Sequence, residues 1–392
     1  MLDQATIDII KATTPVVKAH ADEITATFYP IMFKLYPEVI PYFNQTHQAQ
    51  GSQPKALANA VVAYAANIEQ LGNLSDTVTK IVRKHCALGI LPEHYPIVGE
   101  CLLKGIAEVL GEAATPEILD AWGKAYNQLA DILIDAEEQV YHITETQKGG
   151  WRGEREFKLV KRVEESEVIT SFYFAPVDGG DIVLYEAGQY LTIVLDIEGK
   201  SVRRNYSLSE APGGDSLRIS VKREPEGMVS GYLHDHLALG DVVKLLPPNG
   251  AFVLRNNDKP LVLVTGGVGI TPAISMLNVA ANTERDIRFI HAAINGRVHA
   301  FKAHVDAMVQ GNKRISSLYV YSDPSEQCAP DAEGFITQEL LASQLPEDRD
   351  VELYFLGPKP FMSAVYKMAG ELGIPQAQVH YEFFGPEEEL VA

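Results

Sequence analysis

Two inward-facing polar side chains and two glycine-bearing turns are the residues of this chain that could do chemistry. After Asp76-Thr77, residues Val78, Ile81, Val82 and His85 recur at i, i+3, i+4 and i+7. That period puts all four on one stripe of a helix, so an imidazole faces the apolar side. A histidine there needs a partner. A backbone carbonyl would make it an ordinary core histidine, and an iron would make it an axial haem ligand. Farther along, Trp122, Tyr126, Leu129, Leu133 and Glu137 share a second stripe. It aims a carboxylate inward, where an unpaired charge is costly. A carboxylate beside the non-ligating nitrogen of an imidazole makes that ring a stronger donor to a metal. The plainer readings are a structural ion pair or a helix end at which Glu137 reaches water. Among the other histidines, His20 shares an apolar face with Val16, Val17 and Ile24 and competes with His85. His47 sits in a polar loop, His94 at a helix start and His142 at a helix end.

The later chemistry is of another kind. Arg204-Asn205-Tyr206-Ser207 suits a flavin: an aromatic stacks on the ring, a hydroxyl reaches the isoalloxazine edge, and arginine neutralises pyrophosphate. About twenty residues on, Gly227-Met228-Val229-Ser230 precedes a helix expected from Gly231 to Ala238. Its amides and hydroxyl could cradle phosphate, or it is a glycine turn with an N-cap serine. The apolar strand Leu261 to Thr265 then runs into Gly266-Gly267-Val268-Gly269-Ile270-Thr271-Pro272 and a helix through Ala281. Strand, glycine turn and helix bring backbone amides to a pyrophosphate. The run departs from Gly-x-Gly-x-x-Gly, because Pro272 takes the place of the third glycine. No acid closes the strand Ile287 to Ile294, where a ribose is commonly held, and Arg297 lies nearby. NADH and NADPH are therefore both open.

The elements that must hold these groups change character between Tyr141 and Phe157. Up to about Ile143 the apolar residues recur at helical spacing, and strand alternation is almost absent. Gly149-Gly150-Trp151-Arg152-Gly153 marks the join. From Phe157 to about Val253 the runs have period two, as in Gln189 to Leu195 and Leu217 to Lys222, which predicts a small antiparallel barrel. Beyond it, strands Ile287 to Ile294, Ser316 to Tyr321, Val351 to Leu356 and Gln378 to Phe383 alternate with helices, the pattern of a doubly wound nucleotide domain. A chain of 392 residues is too long for one core, and 46% hydrophobic residues with 22% charged fit a globular protein. The formal charge of -19 repels a phosphate backbone, so nucleic acid is not expected as a partner. Cys86, Cys101 and Cys328 build no disulfide framework or Cys-x-x-Cys site. With no signal segment and no membrane span, a cytoplasmic, unanchored monomer is expected.

In the first half, Phe28-Tyr29, Pro41-Tyr42-Phe43-Asn44, Gln53 with Leu57, Lys84-His85, Tyr95 and Glu137 stand in an order and spacing similar to the globin domain of bacterial flavohaemoglobins. The resemblance implies that His85 ligates the iron of haem b and that Phe43 packs on the porphyrin. It implies that Tyr29 donates a hydrogen bond to the oxygen ligand, while Leu57 and Gln53 shape the distal pocket and Lys84 contacts the cofactor. Tyr95 and Glu137 would form the relay behind His85. The middle segment resembles the FAD domain of the ferredoxin-reductase family, which adds Tyr190 and the terminal Phe383, Phe384, Gly385 and Pro386 to the flavin site; Phe384 would cover one flavin face. The Gly267, Val268, Gly269, Ile270, Thr271, Pro272 run meets that family's Gly-x-Gly-x-Thr-Pro form, and Gly357-Pro358 its Cys-Gly-Pro, with Leu356 where the family carries cysteine.

Taken together, the resemblance implies an all-α globin domain at 1–147, an antiparallel β-barrel FAD domain at 152–256 and an α/β doubly wound NAD(P) domain at 259–392. It implies a nitric oxide dioxygenase in which NAD(P)H reduces FAD, FAD reduces haem iron one electron at a time, and nitric oxide and O2 become nitrate. A haem-based sensor of O2 or nitric oxide, and a flavin reductase acting on peroxide or another acceptor, are the alternatives.

Overall fold

A computed structural model describes residues 2–43, 52–385 and 390, with backbone alone at 52–56. The chain divides into two compact units, Met1–Thr146 with Leu195–Arg203 and Gly385–Glu388, and Gln147–Val194 with Arg204–Phe384 and Glu389–Ala392. Asn44 and His47 of the first and Pro386 lie outside the described residues, as does the side chain of Gln53.

The first unit is helical: α1 (Gln4–Ala19), α2 (Ala21–Leu35), α3 (Ser52–Ala66), α4 (Ser75–Leu88), α5 (His94–Leu110) and α6 (Pro116–Thr146). Asp3 starts α1 by accepting the amide of Thr6 at 2.8 Å, satisfying one donor that a helix start leaves orphaned. Ile10, Ile24, Phe28, Met32 and Ile106 are fully buried between α1, α2 and α5. Helix α4 begins at Ser75, one residue before the expected Asp76, behind a short 3-10 turn at Leu71–Leu74. His20 is not on a helix stripe. It forms the joint between α1 and α2, where its Nδ1 meets Glu23 at 3.2 Å with both side chains exposed, and Val16 is exposed as well.

After the helices, β1 (Arg155–Glu164), β2 (Ile169–Pro176), β3 (Tyr190–Ile197), β4 (Lys200–Ser207), β5 (Leu217–Lys222) and β6 (Val242–Asn249) form one sheet in the order β4-β3-β6-β1-β2-β5, all of it counted in the second unit except Leu195–Arg203. Leu208, just past β4, bridges to Ile219 of β5 and so joins the two edges of the sheet. Closing the sheet removes edges that would otherwise leave backbone groups unpaired. Alternate inward residues, among them Phe157, Leu159, Phe172, Phe174 and Ile193, fill its interior.

A second sheet is parallel, with the order β10-β9-β8-β7-β11-β12. Its strands are β7 (Leu261–Gly266), β8 (Ile287–Ala293), β9 (Ile315–Tyr321), the two-residue β10 (Ala332–Glu333), β11 (Glu352–Leu356) and β12 (Val379–Tyr381). Helices α8 (Ile270–Ala280), α9 (Lys302–Gly311), α10 (Gln338–Ser343) and α11 (Lys359–Glu371) alternate with them. The connections from β7 run to β8 on one side, and the chain later returns to place β11 on the other. The order therefore reverses at β7, which opens a crevice beyond the strand ends. Among the described residues no helix is long and apolar enough to cross a membrane.

Candidate functional site

His85 sits one turn from the end of α4, and its Nδ1 lies 2.7 Å from Glu137 Oε1 of α6 and 3.0 Å from the Tyr95 hydroxyl of α5. Tyr95 also donates a short hydrogen bond to the same Glu137 oxygen. Three helices thus converge on one carboxylate. Glu137 is 2% exposed, so it does not reach water at a helix end; two donors satisfy the buried charge instead. Tyr95 is held in turn by Tyr126, whose hydroxyl donates to its carbonyl at 2.7 Å. The Tyr126 ring lies flat enough on α5 that a Cβ at Gly99 would stand 2.6 Å from it, so Gly99 permits this approach. Burial, and then the nearby Glu137 charge, push the Tyr95 phenol well above its ordinary value and keep its proton in place.

The His85 side chain remains 32% exposed, although its Nδ1 is fully committed. A satisfied core histidine would bury the ring and pair both nitrogens. Here Nδ1–H is fixed by a carboxylate and Nε2 is left for a ligand, the donor arrangement of a metal-binding histidine with its outer partner. The residues therefore fit an axial haem ligand. Cys86, next in the chain, is buried with its thiol toward the Glu137 carbonyl at 3.7 Å. Lys84 donates to the Gly385 carbonyl at 3.3 Å within the same unit.

Tyr29 and Phe43 come together edge to face at 5.7 Å, with Phe28 and Phe33 completing the aromatic group. Leu57 packs, partly buried, against that core. Tyr126 and Leu129 border both this cluster and the one around Val82, Tyr95 and Leu133, so the two groups of expected residues share a wall. His94 opens α5, where its Nδ1 accepts the Leu91 amide at 2.9 Å, and His142 is exposed beside Glu145.

In the barrel, Arg204 and Tyr206 alternate with Asn205 on β4, and burial lowers the arginine and raises the phenol. Asn205 Oδ1 accepts the Thr192 hydroxyl at 2.8 Å, tying β4 to β3 beside the buried Ser207. The Tyr190 ring lies against Gly250. The short helix α7 (Met228–Asp235) starts three residues earlier than expected, with Gly227 as its N-cap. Met228, Val229 and Ser230 are thus its first turn rather than a loop before it. Ser230 is not an N-cap: its hydroxyl donates to the Gly227 carbonyl and accepts the Glu224 amide, both at 3.2 Å, which closes the turn. The Gly227 amide donates to the Glu224 carbonyl at 3.1 Å, so a phosphate cradle here would use the first-turn amides of Met228, Val229 and Ser230.

At the parallel sheet, β7 passes through a 3-10 turn, Gly267–Gly269, directly into α8. Gly267 has φ +54, and a Cβ on Gly269 would stand 2.2 Å from the Leu356 carbonyl. The turn therefore rests on the start of Leu356-Gly357-Pro358, bringing the two expected nucleotide segments together. Thr271 Oγ1 donates to the Val268 carbonyl at 3.2 Å, and Pro272 is tolerated because a proline at an early helix position lacks only an N–H that has no intrahelical partner. Leu356 is buried at the crevice, in an apolar slot with Thr265, Gly269, Pro272 and Tyr354. No thiol replaces the one the reductase pattern places there. Cys86 and Cys101 belong to the helical unit, and Cys328 lies by Gly296 and Ser325, whose hydrogen bonds lower its thiol. Phe383 packs on Tyr381 and Phe384 is half exposed.

Sequence reasoning missed the buried pairs beneath this turn. His291 Nδ1 meets Thr265 Oγ1 and His299 Nδ1 meets the Tyr321 hydroxyl, each at 2.7 Å. Both histidines fall in or near apolar strands, a signal that was present in the pattern but gave no partner.

The geometry defines a helical haem-type fold carried in one chain with a barrel and a nucleotide domain of reductase type. Comparisons with known proteins agree. The family model described as Globin matches residues 26–133, that for the Oxidoreductase FAD-binding domain 156–254, and that for the Oxidoreductase NAD-binding domain 263–367. A curated Pseudomonas putida protein named Flavohemoprotein is 54% identical over 391 residues, covering 100% of both chains. Another of that name, from Pseudomonas aeruginosa, is 52% identical over the full length of both. The crystal structure of a flavohemoglobin from Malassezia yamatoensis with bound FAD and heme superposes with a TM-score of 0.87 at 28% identity, covering 98% of this chain and 100% of that one. The FAD/NAD-binding domain of a nitric oxide dioxygenase from Vibrio cholerae matches 59% of this chain and 99% of its own at 34% identity and a TM-score of 0.55. This chain belongs to the flavohemoprotein family, and it is an NAD(P)H-dependent oxidoreductase of haem and FAD.

Proposed function

We propose that this protein is a nitric oxide dioxygenase, converting two nitric oxide and two O2 to two nitrate at the expense of one NADH or NADPH. The observation that carries the reading is the buried Glu137 bonded to His85 Nδ1, in the same chain as a nucleotide-binding reductase. Bound haem supplies O2 binding and one-electron chemistry, and bound FAD divides the hydride pair into single electrons. His85 Nε2 would hold the iron. Glu137 accepts the Nδ1 proton and fixes the ring's tautomer and orientation, while Tyr95 donates its own proton to the same oxygen. Tyr29 would offer a phenol proton to the gaseous substrate, with Phe43 and Leu57 excluding water around it. Arg204, Tyr206, Ser207 and the amides of Met228 to Ser230 after the Gly227 turn would hold FAD, with Tyr190 and Phe384 offering aromatic surface to it. The glycine turn Gly267–Gly269 and the start of the helix after it would take the nucleotide pyrophosphate, and Gly357-Pro358, packed against that turn, would receive the nicotinamide end. Haem, flavin and nucleotide are thereby assigned to 1–147, 152–256 and 259–392, and the three cysteines suit a reducing cytoplasm.

Purified protein with full haem and FAD should consume nitric oxide in air with NADH or NADPH and accumulate an equal amount of nitrate. Absence of consumption at full cofactor loading overturns the reading and leaves the sensor or the other-acceptor reductase.

A further inference from the structure

Between β6 and β7 the chain passes from the barrel to the parallel sheet through Val253 to Lys259, and this connection is held unusually firmly. The Tyr354 hydroxyl donates to the Val253 carbonyl at 3.1 Å and accepts the Arg255 amide at 2.8 Å. Arg285 donates from Nη1 to the Arg255 carbonyl at 3.0 Å and from Nε to the Lys259 carbonyl at 2.7 Å. Asn257 donates to Glu352 at 2.8 Å, and the other oxygen of Glu352 takes His380 at 2.6 Å. Tyr354, Arg285 and Glu352 are all buried. A connection of this kind ordinarily lies on the surface and takes its hydrogen bonds from water. Burying a guanidinium to hold two backbone carbonyls is costly, and here burial lowers its pKa with no carboxylate in salt-bridge contact among the described residues.

Tyr354 also supports the glycine turn from beneath. It lies two residues before Leu356 on the same face of β11, and its ring lines the apolar slot with Gly269 and Pro272. Phe252, at the barrel end of the connection, meets that ring edge to face at 5.5 Å, and His380 stacks on it at 4.5 Å. One buried side chain therefore packs beneath the glycine turn of the nucleotide domain and fixes the strap that joins that domain to the barrel. Hydride transfer moves two electrons and a hydrogen from the nicotinamide ring to FAD, which takes a solvent proton and becomes the two-electron-reduced flavin. Its rate depends on holding donor and acceptor within about 3–3.5 Å.

We propose that Tyr354 and Arg285 are positioning residues for flavin reduction: by clamping Val253–Lys259 they fix the barrel against the nucleotide domain. The inference concerns the reductase step alone and does not depend on what the electrons later reduce. The test uses the full-length holoprotein and the variants Y354F, which keeps the ring, and R285K, which keeps the charge but cannot span both carbonyls. Flavin reduction is followed anaerobically by stopped flow over a range of NADH, and hydrogen exchange is read across Val253–Lys259. The clamp predicts faster exchange in that segment, an apparent Kd for NADH within about twofold of the parent, and a limiting reduction rate lowered about tenfold or more. The long-wavelength charge-transfer absorbance between nicotinamide and flavin should weaken in parallel. A limiting rate within twofold of the parent despite faster exchange overturns the proposal, and so does unchanged exchange in both variants. If R285K fails to retain FAD, Y354F, which differs by one oxygen atom, decides alone.

Discussion

Replacing Glu137 with Gln tests the electronic role of the His85 relay with little change of shape. Glutamine is nearly isosteric, and its carbonyl oxygen can still accept both the His85 Nδ1–H and the Tyr95 hydroxyl that converge on Oε1. What disappears is the charge. A hydrogen bond to a charged group contributes about 1.5–3 kcal/mol against about 0.5–1.5 kcal/mol for a neutral one, so the exchange removes roughly 1–1.5 kcal/mol of interaction. The full difference applies here because Glu137 is 2% exposed and solvent does not screen it. An anion behind the ligand favours the oxidised iron, so the loss should appear mainly as easier reduction. At about 59 mV per tenfold, or 1.4 kcal/mol, for one electron, the haem potential should rise by up to about 60 mV. Spectroelectrochemical titration of E137Q beside the parent protein measures it directly, with the FAD couple as an internal control that should not move. A haem potential unchanged within about 10 mV, or lowered, at full haem content would refute the idea that Glu137 acts on the iron through His85.

Other expectations follow from the same geometry. H85A should lose haem while retaining FAD and ferricyanide reduction by NADH within about twofold; retained haem would show that another residue is the ligand. G269A drives a Cβ toward the Leu356 carbonyl, 2.2 Å away, so the turn must open; KM for NADH should rise about tenfold or more with haem and FAD content unchanged, and an unaltered KM refutes the close-packed turn. His299 is buried and its pKa is lowered to about 4 from 6.5, chiefly by burial. Between these values the unfolded chain binds a proton that the folded chain does not, so stability falls as pH drops from 6.5 toward 4 and is unaffected above that window. The full effect is about 3 kcal/mol, and H299N should flatten the pH dependence of the denaturation midpoint of the nucleotide domain; equal slopes in variant and parent would exclude it.

Much of the helical site was legible because helix periodicity reports a face. The stripe Val78, Ile81, Val82, His85 and the stripe ending in Glu137 each said which way a polar group points, and the structure joins the two. Periodicity says nothing of helix junctions, which is why His20 looked like a stripe member when it is a hinge exposed to water. The glycine turn was legible for a related reason: strand, glycines and proline impose one backbone path. The helix after Gly227 was misplaced by three residues because Met228 and Val229 carry no start signal, and its only polar first-turn side chain, Ser230, bonds backward instead of capping. The clamp on Val253–Lys259 was illegible altogether. Its members come from β11, the loop just before β8 and the connection itself, about 30 to 100 residues apart, and no local pattern records such a meeting.

Three buried charges separate structural expense from structural use. Glu137, Arg285 and Glu352 are each below 6% exposure, and removing one partner of a buried charge typically costs about 3–5 kcal/mol, whereas an apolar residue of like volume in their place is often neutral or better. Stability alone therefore gives no reason to keep them. In each case the charge fixes something an apolar residue could not: Glu137 sets the tautomer of His85, Arg285 holds two carbonyls of the strap, and Glu352 ties Asn257 of the strap to His380. On the proposals above, the first would act on a metal ligand and Arg285 on the placement of the barrel against the nucleotide domain, with Glu352 tying the same strap. Hydride delivers its two electrons together and iron takes them singly, so placement matters both where they enter and where they leave, and the proposals assign Arg285 to the first point and Glu137 to the second.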